Sequence, residues 1–559
     1  MPSDIERDLY ANLYGPTTGD RIRLGDTDLI VEVERDESSY GDEVLAGCGK
    51  TMQAGMLIQG RQRGDSALDV VISNVLIIDP VLGVFKGNIG IADGRIVGIG
   101  RAGNPDVMDD VDLIIGPHTS LLPGEGLIAT PGGVDSHVHL SSAPLLPVLL
   151  GSGITTIVGM GAGGVWDVGV NPAVHLHRML DALAGFPINV ALLARGAYDP
   201  PALERALAAG AAGFKIHEDF GGSPAIIDCT LTVAEMADVA VAMHTDSLNE
   251  SGLLADTIAA IAGRSVHAYH VEGSGGGHVP NAIELVSQPN VIASSTTPTV
   301  PFGINALDEI VPMAMIVHRQ NRVLESDTRT TRSRVRSRTM EAESWLHDQG
   351  AISIINSDSL GMGRGGEVIR RTWQLAHTMA REVEAAPPHN ERVMRYLAKH
   401  TINPAITHGL SSDVGSLEPG KLADVVLWRP AMFGTKPEAV VKQGFIAWGQ
   451  AGDGSGSIRS SQPRMYGPMF GGLGEAPRSL TTAFVAQSAI DAGIADAIPH
   501  RHIAAVRNSR SLSRTDMIRN TSVPDIEVPL DDGPVLIDDR PATLEPTAEV
   551  PLGQRYHFA

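Results

Sequence analysis

Eight short apolar runs separated by amphipathic stretches predict an α/β chain built on a closed (β/α)8 TIM barrel, with a small discontinuous β-domain beside it. The runs recur from residue 128 onward as LIATPGGVDSHVHL, ITTIVGMG, INVALLARG, GFKIHED, VAVAMHTD, SVHAYHVEG, NVIASSTTP and AISIINSDS. Helix-compatible stretches such as PALERALAAGA, TVAEMADVAVA and ADTIAAIAG lie between them. Polar residues close nearly every run, as they do where strands end at the functional mouth of a barrel. An open doubly wound sheet is the alternative, and the count of eight favours the barrel.

The elements follow in order. Residues 1–127 read as an N-terminal β-rich segment. Within it, ALDVVISNVLIIDP and FKGNIGIADGRIVGIG alternate like strands, and Asp93-Gly94 supplies a turn. A further strand is expected near SLLPGEGLIATPG. The barrel occupies 128–414. GSLEPGKLADVVLWRP and EAVVKQGFIAWGQ, within 415–460, are strands again and are expected to return to the N-terminal ones. Residues 461–559 form a C-terminal segment. Its acidic, proline-containing part from Val523 to Val550 reads equally as an ordered arm or as a disordered tail.

Composition narrows the function. A formal net charge of -22 argues against nucleic acid and against an anionic membrane surface as partners. The two cysteines, Cys48 and Cys229, cannot make a disulfide framework and fit a reducing, cytoplasmic location. MPSDIERDLY has neither a basic n-region nor an apolar h-region, so no secretory signal is expected. The uncharged stretch from Leu140 to Trp166 is broken by SSAP, GSG and GMGAGG, which suits a buried barrel segment better than a membrane span.

Six residues at the strand ends carry the chemistry: His137, His139, Lys215, His244, His270 and Asp358. Residues i and i+2 of a strand share a face, so His137 and His139 point together, as do Lys215 and His217. Neutral imidazoles and a carboxylate are ligands for a divalent metal. A single HxH is weak evidence, but sites on strands one, four, five, six and eight of one barrel converge. A lysine is misplaced among such ligands unless CO2 carbamylates it, making an anion able to bridge two cations. One metal would then polarise a carbonyl while the other activates water. The donor set alone does not choose among zinc, nickel and other divalent ions. The remaining histidines, His267, His347, His400 and His408 among them, lie outside this constellation.

IADGRIVGIG, GGVDSHVHL and GSLEPGKLADVVLW together resemble the frame of the amidohydrolase superfamily. YANLYGPTTGDRIRLGDTDLIVEVERD, GFKIHEDFG, HTDSLNESG, HVEGSGGGHVPN, SSTTPTVPF, NSDSLGMGR, RTWQLAHTM, YLAKHTINPAITHG and QRYHFA resemble, in order, urease catalytic (alpha) subunits. The resemblance implies hydrolysis of urea by two nickel ions bridged by carbamylated Lys215. His244 and His270 would complete one nickel site; His137, His139 and Asp358 would complete the other. His217, oriented by Asp219, would meet the substrate, with Gly275 of the run Gly273–Gly277 and Gly361 beside it. A mobile flap near 305–345 would bring His318 as proton carrier, with Arg334 assisting. Separate beta and gamma subunits, a trimer of heterotrimers and nickel-delivery accessory proteins are implied partners.

Four departures from the family pattern stand out. Val317 occupies the flap position usually held by cysteine, and Gly361 stands for the usual alanine. LSSAPLLPVL after His139 and the shortened loop between Gly159 and Val174 differ in content. These leave two alternatives open: a related amidohydrolase for another small amide or ureide, and a urease-like paralogue of low activity.

Overall fold

The computed structural model describes residues 5–60, 68–161, 171–217, 221–245, 253–274, 281–451, 465–499, 501–529 and 533–553. Its centre is a ring of eight parallel strands: Gly133–His139, Ile154–Met160, Asn189–Arg195, Gly213–Ile216, Ala240–His244, Val266–Tyr269, Val291–Thr296 and Ile354–Asn356. The ring closes beyond the eighth strand. Val138 bridges Ser359 in parallel, His139 N donates to Ser359 O at 3.1 Å, and Ser357 N donates to Asp135 Oδ1 at 3.0 Å. All eight expected strands are therefore present, and the open-sheet alternative falls.

The strands are almost wholly buried because helices cover their outer side, which is why they read as continuous apolar runs rather than alternating ones. Helix Pro224–Ala237 shows how the local sequence sets an element. Ser223 Oγ accepts from Ile226 N at 3.4 Å, Pro224 opens the first turn, and Asp238 ends it in the left-handed region at φ 49°. The Asp238 carboxylate then accepts from Asn508 N (2.6 Å) and Ser509 N (2.9 Å), anchoring the C-terminal segment.

The second sheet joins distant parts of the chain. Its order runs Met465–Pro468, Phe445–Ala451, Ala439–Lys442, Val425–Trp428, Ile128–Pro131, Val70–Asp79, Gly83–Ala92, Arg35–Asp36. Strands after the barrel thus pair with strands before it. The first apolar run splits at Gly132: Ile128–Pro131 pairs with Val425–Trp428 and Val70–Asp79, and only Gly133–His139 enters the barrel.

The stretch from Val523 to Val550, open between arm and tail, is an arm in its described part. Ile526–Glu527, Leu536–Ile537 and Arg540–Pro541 form a small antiparallel sheet. Thr543 O accepts from Trp345 Nε1 at 2.9 Å, and Thr547 bridges Gly303 just before helix Ala306–Val317. No helix among the described residues is long and apolar enough to cross a membrane.

One buried ion pair locks the two sheets together. Lys442 Nζ contacts Asp424 Oδ2 with both side chains buried, and donates to Thr155 O (3.3 Å) of the second barrel strand. Asp424 Oδ2 also accepts from Asn189 Nδ2 (2.7 Å) of the third. Removing one partner strands a buried charge, so Lys442→Ala is expected to cost about 3–5 kcal/mol in guanidinium unfolding. Lys442→Met combined with Asp424→Leu is expected to recover most of that loss.

Candidate metal centre

The six predicted ligands meet at the C-terminal mouth of the barrel. His137, His139, Lys215, His217, His244, His270, Val317, His318, Asp358, Gly361 and Met362 line one small pocket. His137 Nε2 and His139 Nε2 stand 3.3 and 3.1 Å from Asp358 Oδ1. One ligand atom from each of these three lies within 4.8 Å of the others. The imidazoles of His217 and His244 have centroids 4.2 Å apart, and those of His244 and His270 are 4.6 Å apart.

Backbone geometry explains how neighbours in sequence reach the same space. His137 and His139 share a face of their strand, as the alternation requires. Tyr269 and His270 are adjacent and would ordinarily point apart. His270 lies just past the strand and takes φ 36°, which turns it back toward the pocket. Asp358 does the same after the eighth strand at φ 51°. Left-handed backbone at a non-glycine residue costs on the order of 1–3 kcal/mol where it is strained. Here each such turn delivers a ligand.

Burial sets the protonation states. It pulls His137, His217, His244 and His270 well below the usual imidazole range, so they are neutral donors at pH 7. Burial alone would raise Asp358, but its hydrogen bond to His139 and its attraction to the protonated forms of His139, His270 and Lys215 bring it to about 2. Burial likewise drives Lys215 well below the usual lysine range, against the opposing pull of Asp358. Lys215 Nζ has no hydrogen-bond partner among the described residues. A buried amine with no acceptor, ringed by neutral imidazoles and one carboxylate, fits a bridging metal ligand better than a structural lysine.

The flap residues divide. His318 ends helix Ala306–Val317 and lines the pocket beside Val317. Arg334 closes the following helix, Glu325–Arg334, and is buried. It does not line the pocket but adds positive charge that lowers His244. Asp219, Gly275 and most of the loop between Gly159 and Val174 lie outside the described residues. The two altered segments meet at their described ends. Leu140 N donates to Met160 O at 2.8 Å, and the Leu140 side chain fills the space a Cβ on Gly159 would need, 2.6 Å from its Cδ1. Leu140, the first residue of LSSAPLLPVL, thus packs against the end of the second barrel strand.

Sequence reasoning missed the residues that hold the ligands. Thr245 Oγ1 lies 2.8 Å from His270 Nδ1, which leaves Nε2 for the pocket. Asp135 accepts from the His137 and Ser357 backbone, and burial pushes its carboxyl up to about 7. Adjacency to HxH and HTD was the available signal.

Comparison with known proteins identifies the family. Residues 128–459 match the model of the amidohydrolase family, and residues 3–122 match that of the urease alpha-subunit N-terminal domain. The chain is 46% identical to the urease subunit alpha of Natronomonas pharaonis over the full length of both proteins. The chain belongs to the urease alpha-subunit family. A second member, the urease subunit alpha of Haloquadratum walsbyi, is 44% identical, again over the full length of both. Among solved structures, a D-hydantoinase superposes with a TM-score of 0.47 and 17% identity, covering 68% of this chain and 95% of that one.

Within this family frame Gly361 is a local adjustment. A Cβ there would overlap Asp358 Oδ1 and lie 3.0 Å from His139 Cδ2. Gly361→Ala is therefore expected to displace Asp358 and weaken divalent-metal binding about tenfold or more, read by titration calorimetry. Unchanged affinity would show that Asp358 has room to move.

Proposed function

We propose that this chain is the catalytic subunit of a urease, hydrolysing urea to ammonia and carbamate, which decays to CO2. Full-length membership of the family supports the reaction. The observation that carries the site is the convergence of His137, His139, Lys215, His244, His270 and Asp358 on one pocket. These six would hold two nickel ions: His244 and His270 on one, His137, His139 and Asp358 on the other, and carbamylated Lys215 on both. Carbamylation needs the neutral amine that burial favours. Its nitrogen bonds the carbon of CO2, one proton leaves to solvent, and an anion with two oxygens remains. Bound there, two divalent cations would polarise the urea carbonyl and make water a nucleophile at neutral pH.

The chain's own groups do the rest. His217, neutral and on the pocket wall, donates a hydrogen bond to the substrate oxygen, with Asp219 orienting it. His318 reaches the pocket from the flap and moves a proton at the leaving nitrogen. Arg334 supplies positive charge behind His244. The family resemblance would put Gly275 and Gly361 beside the substrate. Val317 makes the flap wall aliphatic, which removes a thiol without touching a ligand.

The family's subunit naming supports a multi-subunit assembly with urea as substrate. Separate beta and gamma chains in a trimer of heterotrimers, nickel-delivery proteins and a cytoplasmic location complete the proposal. The free thiols of Cys48 and Cys229 suit that compartment.

Assembled protein loaded with nickel and bicarbonate is expected to release ammonia from urea. Lys215→Ala is expected to lose the bridged pair of metals and at least about 10³-fold in turnover, the scale of a lost catalytic electrostatic group. Full turnover with two metals in that variant would refute the assignment.

A further inference from the structure

Tyr269 is buried at 0% exposure and belongs to no ligand set, yet it touches two of the proposed ligands at once. Its ring stacks on His137, with centroids 3.7 Å apart and planes 16° apart. Lys215 Nζ stands 3.7 Å from the same ring centroid. The phenol ring is therefore in contact with the imidazole and the amine together. Its hydroxyl donates to Ser136 O at 2.7 Å, the carbonyl immediately before His137. The ring is thus pinned from strand six at one end and from strand one at the other.

We propose that Tyr269 is a positioning residue for the metal centre, whose ring fixes the Lys215 arm and the His137 ring in register with one another. The inference rests on the metal-site assignment above. Lysine carries its amine on a flexible four-carbon stem. A ring face beneath the amine removes alternative rotamers and offers no lone pair to capture its N–H groups. Nζ is therefore left for CO2 rather than tied to a protein acceptor, in keeping with its lack of a hydrogen-bond partner among the described residues. The same ring holds the His137 plane by stacking. Neither contact needs the hydroxyl; both need the ring.

The sequence of substitutions separates ring from hydroxyl. Wild type, Tyr269→Phe, Tyr269→Leu and Tyr269→Met are prepared as assembled enzyme and reconstituted with nickel and ¹³C-bicarbonate. Nickel per chain, the ¹³C carbamate resonance and the melting temperature are measured for each. Tyr269→Phe is expected to keep carbamate occupancy and nickel affinity within about twofold of wild type. Tyr269→Leu and Tyr269→Met are expected to lose about tenfold or more in both, the usual effect of removing a group that orients a metal ligand. The role is overturned if folded Tyr269→Leu or Tyr269→Met keeps wild-type nickel and carbamate. It is also overturned if Tyr269→Phe falls as far as they do, because the hydroxyl tie would then be the active part. Wild type without carbamate would instead defeat the metal-site assignment itself, independently of Tyr269.

Discussion

An amine with nowhere to put its proton governs this site. Lys215 is 1% exposed, and its Nζ has no acceptor among the described residues. Keeping it charged there would cost several kcal/mol, since a buried ion is tolerated only when paired. The one nearby carboxylate, Asp358, is already engaged by His137 and His139. The neutral amine is the form the surroundings favour, and a neutral amine is a nucleophile. The same burial keeps His137, His217, His244 and His270 neutral, so one physical condition prepares both the lysine and these histidines for metal.

The rest of the architecture serves to hold that condition. A closed barrel delivers ligands from strands far apart in sequence, and its walls exclude water from the space where they meet. Positive-φ turns at His270 and Asp358 bring in residues that strand alternation alone would point elsewhere. Rigidity is imported from outside. Asp424 and Lys442 bind the β-domain to barrel strands two and three. The C-terminal arm pins the root of the flap through Thr547, and Arg371 holds Glu309 in the flap helix's first turn at 2.9 Å. Helix Ala306–Val317, with His318 at its end, is therefore held on a fixed base beside the pocket.

Much of this was legible in the sequence because the signals were local. Period-two placement set His137 beside His139 and Lys215 beside His217, and eight apolar runs located the eight strands. The return of residues 425–451 to the N-terminal strands was legible because both halves read as short strands flanking a barrel. What escaped depended on contacts across the fold. Only Pro131-Gly132-Gly133 marks the break between Ile128–Pro131 and the run that follows it, and which sheet each half joins is decided by pairing with Val425–Trp428. Thr245 and Tyr269 look like ordinary strand residues until His270, His137 and Lys215 surround them. The alternative between arm and tail for Val523 to Val550 turned on partners such as Trp345, 198 residues before Thr543, which composition does not encode.

The account's central claim is that Lys215 becomes the bridge of a two-metal centre. A crystal structure of the nickel-loaded, bicarbonate-treated enzyme, with anomalous diffraction at the nickel edge, tests it most directly. The account predicts two anomalous peaks in the pocket, one beside His244 and His270 and one beside His137, His139 and Asp358, with density for a carbamate on Lys215 between them. A single peak beside Asp358, with Lys215 ending in an unmodified amine, would contradict it.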